Sequence, residues 1–236
     1  MEKQPYIDQI FIGKPKTVGD PNAKKLMDKE WTSGIFKEPV NKPVRISKVG
    51  LEGDGQADLK NHGGPEKAVF VYPASHYKEW TSELENVQIQ AGAMGENFSI
   101  KGLDETNVCI GDIFEVGEVL IQVSQPRQPC WKPARRYKIL DLALQIQKTG
   151  RTGWYFRVIK EGFVMEKDSM KLIERQYPDW TIARCNEVMH EKKEDVEATK
   201  QLANCEYLAP NWKDTLIKRL HGESKSIDSR VYGPNK

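Results

Sequence analysis

The sequence predicts an α+β protein: a β-barrel core with flanking helices, followed by a small helical appendage. Three observations carry this prediction. Short β-prone runs separated by Gly, Pro, Asn and Asp fill the chain up to about residue 165. They do not alternate with helices in the βαβ manner, which favours a barrel over a doubly wound sheet. After about Phe163 the apolar spacing turns helical.

The β-prone runs are 7–12, 44–51, 67–72, 97–100, 113–116, 119–125 and 155–160. Within EVGEVLIQVSQP a Gly-Glu turn joins two of them, a hairpin signal. Two helices interrupt the series. The first, 73–84, carries Ala74, Tyr77 and Trp80 on one face. The second, 133–148, opens with Pro133 at the first helical position and stops before Gly150, with Tyr137, Leu140 and Leu144 as its apolar stripe. Further helices are expected at 169–176, 181–191, 193–203 and 211–220. The division that follows is a β-rich domain over 1–164, a helical module over 165–222, and a flexible tail over 223–236.

Composition narrows the function. The 236 residues can bury a core without metal or disulfide staples. A net charge of +2, from 36 basic and 34 acidic side chains, offers no broad field for nucleic acid or anionic membrane. No run is long and apolar enough for a signal peptide or a membrane span, so a cytoplasmic location is expected. The four cysteines, Cys109, Cys130, Cys185 and Cys205, show no C-x-x-C spacing, which argues against a disulfide framework or a zinc knuckle.

Cys130 stands apart from the other three. It lies in QPRQPCWK, a segment stiffened by Pro126 and Pro129, leaving a strand and entering a helix. A helix N-terminus and the cations Arg127, Lys132, Arg135 and Arg136 all favour its thiolate. A thiolate is either a nucleophile or a soft-metal ligand, and the local chemistry leaves both open beside a plain buried cysteine. As a nucleophile it would take His62 as its base.

Two glycine-rich stretches could approach a ligand. GDGQADLKNHGGPEK, starting at Gly53, sets Gly53, Gly55, Gly63 and Gly64 around Asp54, Asp58, Lys60 and His62. It matches neither a P-loop nor the dinucleotide fingerprint, and Lys60 and His62 are anion candidates. AGAMGENF offers Asn97, whose amide could read a polar ligand edge. In WTSGIFKEPV, Ser33 and Gly34 present donors and Lys37 is a further anion candidate.

Taken in order, GDGQADLKNHGGPEKAVFVYP, GAMGENFSIKGLDETNVCIGD, VSQPRQPCWK and GRTGWYFRV resemble the MOSC domain, the molybdenum cofactor sulfurase C-terminal domain, in its YiiM subgroup. The resemblance runs from about Ile10 to Val164, and the helices that follow are similar to the three-helix module of that subgroup. It implies a MOSC β-barrel with flanking helices and a C-terminal three-helix module. It also implies that Cys130 ligates the metal of the molybdenum cofactor, a molybdenum–molybdopterin. Ser33, Gly34, Lys37, Lys60, His62, Gly63, Gly64, Asn97, Arg127 and Lys132 would then hold the cofactor.

The implied activity is reduction of small N-hydroxylated compounds, such as hydroxylaminopurines and amidoximes, to the amine or amidine. Electrons would come from a flavin-containing NAD(P)H reductase, and Asp54 and His62 are the first residues to test as proton donors. A homodimer is compatible with this, and no nucleic-acid or membrane partner is expected. A cofactor-binding or sulfur-carrier module that reduces nothing itself is the alternative, and a cysteine hydrolase using Cys130 and His62 is the third reading.

Overall fold

The computed structural model describes residues 4–84, 86–223 and 226–236. Its strands are β1 (Tyr6–Ile12), β2 (Lys16–Val18), β3 (Trp31–Ser33), β4 (Glu38–Val40), β5 (Val44–Ser47), β6 (Gly50–Leu51), β7 (Val69–Pro73), β8 (Phe98–Lys101), β9 (Ile113–Val116), β10 (Val119–Pro126), β11 (Trp154–Lys160), β12 (Gly162–Val164) and β13 (Met170–Glu174). Its helices are α1 (Leu59–His62), α2 (Ser75–Glu83), α3 (Trp131–Tyr137), α4 (Leu142–Thr149), α5 (Ile182–His190), α6 (Val196–Ala203), α7 (Pro210–Leu220) and α8 (Asp228–Val231).

Eight strands form one mixed sheet in the order β13-β9-β10-β11-β7-β8-β1-β4. Only β7 and β8 run parallel, because α2 carries the chain across between them. The expected barrel does not close. No continuous ladder joins its ends, which meet at the Tyr6–Ser169 bridge and through backbone hydrogen bonds from Ile7 to Asp168, Lys167 to Ile7 and Met170 to Pro5, while β4 occupies the Ile10–Ile12 end of that edge of β1.

Period-two alternation sorts the side chains between two cores. From β7, Val69 and Val71 enter one cluster while Phe70 and Tyr72 enter the other. From β11, Trp154, Phe156 and Val158 enter the first and Tyr155 the second. The first cluster continues into α5–α7 through Ile182, Leu202, Trp212 and Leu216. The second lies beneath α2, α3 and α4, with Trp80, Ala134 and Ile146.

Three expectations are corrected. The 169–176 run is strand β13, not a helix: it pairs with the open edge of β9, Met170 opposite Val116 and Leu172 opposite Phe114. That pairing carries the sheet past residue 165. The expected 133–148 helix is two helices, broken at Lys138, which caps α3 in the left-handed region at φ 59°. Leu140 falls in the break and is exposed, and the buried stripe is instead Leu142, Ala143 and Ile146. Pro133 sits in the third helical position, with Cys130 as the N-cap.

The tail also differs from a flexible one. Ser224 and Lys225 lie outside the described residues, but from Ser226 the chain folds back. Arg230 donates to the Pro129 carbonyl and, at 2.6 Å, to Gln147 Oε1. Asn235 Nδ2 donates to the Trp131 carbonyl at 3.2 Å. Among the described residues no helix is long and apolar enough to cross a membrane.

Candidate functional site

The Cys130 loop leaves the end of β10 and enters α3, so the thiol stands at a helix N-cap between the two halves of the fold. Opposite it, a one-turn helix capped by the Asp58 carboxylate presents His62. His62 Nε2 lies 3.7 Å from the sulfur, and Lys132 Nζ lies 3.2 Å from His62 Nδ1. An ammonium can only donate, so Nδ1 accepts and the ring proton sits on Nε2, facing the sulfur. The Asp58 carboxylate completes the chain, 3.6 Å from Nδ1 and 3.8 Å from Lys132 Nζ.

Burial pushes the Cys130 thiol up, but the His62 hydrogen bond and the charges of Arg127 and Lys132 more than offset it, bringing it down to about 6. The other three thiols are buried too, and burial pushes each of them up. One of the four cysteines is therefore activated, the one in the proline loop.

A cleft of about 580 Å³ opens on the sulfur, within the usual size of a small-ligand site. Eight of the residues expected to bind line it: Ser33, Gly34, Lys37, His62, Asn97, Arg127, Cys130 and Lys132. The two outer loops touch at Gly34, where a Cβ would strike the Gly55 carbonyl oxygen. Ser33 Oγ accepts from the Ile35 amide at 3.2 Å, which leaves its proton free to donate.

Four expected residues stand elsewhere. Lys60 points outward from α1, exposed, and Gly63 and Gly64 close that helix without facing the cleft. Asp54 lies beneath the cleft wall. Its carboxylate pairs with Lys37 and accepts from the Gly13 amide at 2.9 Å and from Asn97 Nδ2 at 2.9 Å. So engaged, it is a pillar rather than an acid. Asn97 is also spent on the fold: Nδ2 donates to the Phe11 carbonyl at 3.3 Å as well, and Oδ1 accepts from the Phe70 amide at 3.0 Å. Arg135 and Arg136 turn away from the thiol, clamping the carbonyls of Leu26 and Lys29 and of Ile35, Gly92 and Ala93.

Lys67 and Tyr155 line the cleft without having been singled out in the sequence. Burial lowers the Lys67 ammonium below its ordinary value. Burial likewise holds the Tyr155 phenol neutral, up to about 12, and its hydroxyl makes no hydrogen bond among the described residues. Arg127 is the remaining cation. It is 5% exposed, stacks 5.1 Å over the Phe70 ring, and its Nη1 has no hydrogen-bond partner.

Fold and site together describe an α+β protein with a cation-lined cleft that opens on a buried cysteine. The comparisons give that class its family. Residues 58–171 match the MOSC domain and residues 180–223 the YiiM-like, 3-alpha helix domain. The chain is 39% identical over 204 residues to Protein YiiM of Escherichia coli, covering 85% of this chain and 91% of that one. A crystal structure of YiiM from Geobacillus stearothermophilus superposes with a TM-score of 0.76 at 36% identity, over 92% of this chain and 99% of that one. A Gibberella moniliformis protein named a reductase is 37% identical over 188 residues, 78% of this chain but 33% of its own length. The chain belongs to the YiiM subgroup of the MOSC-domain proteins.

Proposed function

We propose that this chain is a molybdenum cofactor-dependent reductase of small N-hydroxylated compounds, with Cys130 as the protein ligand to the metal. The observation that carries it is the activated Cys130 thiolate at the floor of a cation-lined cleft. Among the described residues no three His, Cys, Asp or Glu side chains converge on a metal position. A metal at Cys130 must therefore bring most of its own ligands, as one held in a dithiolene cofactor does. A thiolate is the right soft donor for it.

The remaining residues suit the organic part of such a group. Arg127, with its unpartnered buried Nη1, and Lys67 and Lys132 balance a phosphate. Lys37 faces the cleft already paired with Asp54. Ser33, buried in the wall, has its hydroxyl proton free to donate. The bound cofactor supplies the electron and oxygen-atom chemistry, and the protein orients it.

Besides the lysine ammoniums and the Ser33 hydroxyl, His62 carries a proton on Nε2 and Tyr155 on its hydroxyl at the site. Either can deliver it to the substrate nitrogen, and Asp54 cannot without losing Lys37. A flavin-containing NAD(P)H reductase would supply the electrons, and the reductase name of the fungal relative supports a redox role.

The test is metal analysis and turnover. Chain purified from a host that makes the cofactor should hold molybdenum near one per chain, and Cys130→Ala should lose it. With a chemical reductant, the loaded chain should convert a hydroxylaminopurine or an amidoxime. Absence of molybdenum from both forms, with a control molybdoenzyme loaded in the same host, overturns the reading. Loaded chain that turns over nothing identifies a cofactor carrier instead.

A further inference from the structure

Cys130 is reached from two sides. Beyond the cation-lined cleft there is a second, of about 970 Å³, whose walls include Gln125, Gln128, Trp131, Asn211 and Arg230. The two share Asp58, His62, Lys67, Cys130, Lys132 and Tyr155, so both end at the sulfur. Besides the walls it shares with the first, the second is built by the end of β10, the first turn of α7, and the folded-back segment that Arg230 clamps to the Pro129 carbonyl.

Beyond the residues it shares with the first, including Lys67 and Lys132, its own walls add Arg230 and a set of carboxamides. Carboxamides from Gln125, Gln128 and Asn211 stand in its wall. Gln125 is 1% exposed, and its Oε1 has no hydrogen-bond partner. Its backbone is fixed opposite Tyr155 in the β10–β11 ladder. A buried carbonyl left unpaired destabilises the fold, and a leucine of similar volume would avoid that cost. A bound ligand is what would satisfy it. A carboxamide pairs best with an edge that sets one donor beside one acceptor, as in amides, amidines and amino-substituted nitrogen rings.

We infer that the second cleft receives the substrate and that Gln125 selects it, taking a flat ligand with an N–H beside an acceptor nitrogen or oxygen. Naming the ligand a substrate rests on the function proposed above, whereas the binding site itself stands on Gln125 and the cleft.

The probe is 2-aminopurine, flat, uncharged at neutral pH and fluorescent, titrated against the full chain both metal-free and metal-loaded. Saturable binding is expected in both, with slower alkylation of Cys130 by iodoacetamide in the metal-free chain. Gln125→Leu should weaken binding roughly tenfold while its thermal midpoint holds or rises, because an apolar side chain replaces an unpaired amide. If Gln125→Leu does not fold, Gln125→Glu decides, since it loses the donor and should weaken the probe as well. No saturable binding by the unmutated chain, or unchanged affinity in the folded variant, overturns the assignment. Metal content separates the two readings: molybdenum missing from both the unmutated chain and Gln125→Leu sinks the reductase, and the metal-free titration still decides this site.

Discussion

Cys130 is held as a thiolate by two cations and one imidazole, and each can be removed separately. Lys132 does double service, since its charge faces the sulfur and its ammonium sets the His62 tautomer. The alkylation rate of Cys130 against pH should therefore show a midpoint at about 6. Lys132→Met should move it upward, and His62→Gln should move it further, because the His62 hydrogen bond is the larger favourable influence. A midpoint unmoved in both variants, followed by mass spectrometry of the Cys130 peptide, would sink this account of the thiolate. The sign for stability follows from the same depression. The ionised thiol favours the folded state above its unfolded value, and that contribution is lost as pH falls through about 6. Cys130, Arg127, Lys132 and His62 were legible because residue type and near neighbours sufficed. Lys67 and Tyr155 were not: each sits in or beside a β-prone run, and only the placing of β7 and β11 shows which way its side chain faces. Asn97 and Asp54 show a different relation between sequence and site. Their chemistry suited a ligand, but the fold uses it first.

At the level of elements, the C-terminal segment is the part that local sequence misjudged most. Its polar composition reads as tail, yet Val231 is fully buried and Arg230 bonds the carbonyl next to Cys130. Burial lowers the Arg230 guanidinium below its ordinary value, and the Cys130 thiolate works against that, which places the two in each other's field. Arg230→Ala should release residues 226–236. Losing hydrogen bonds from a charged donor costs about 1.5–3 kcal/mol, so thermolysin should cleave the segment roughly tenfold faster or more. Cleavage at the unmutated rate would show that the clamp holds nothing. The other misread elements share one cause. SMKLIERQ has a helical apolar spacing, but the open edge of β9 recruits it as β13, and tertiary pairing overrides propensity. The α3–α4 break came from Lys138 adopting the left-handed region, a conformation that glycine would have announced and lysine does not.

On the scale of the whole molecule, the expected boundary at residue 165 dissolves. One apolar cluster runs from Ile7 and Phe98 in the sheet to Trp212 and Leu216 in α7. Polar ties cross the same seam. Arg157, in the middle of β11, donates to Gln122 Oε1 at 2.8 Å and to the Tyr207 carbonyl at 2.7 Å, and pairs with Glu66. The Ala209 amide donates to the Ser124 carbonyl at 2.9 Å, one residue from Gln125. Sequence pattern separates a β-rich half from a helical half because periodicity changes there, but periodicity does not report which faces are buried against each other. A shared core has a thermodynamic signature. The sheet and the helical module should unfold together in one calorimetric transition, although two separate motif blocks are recognisable in the chain. Trp212 is fully buried at the centre of that seam, and Trp212→Ala should cost about 3–5 kcal/mol. For a chain of this length that lowers Tm by roughly 10 °C. The whole transition should shift, and the Cys130 alkylation midpoint should stay near 6 until unfolding begins. Two resolved transitions, with only the lower one displaced by Trp212→Ala, would mean that the helices fold as an independent unit and that the common core does not couple them to the site.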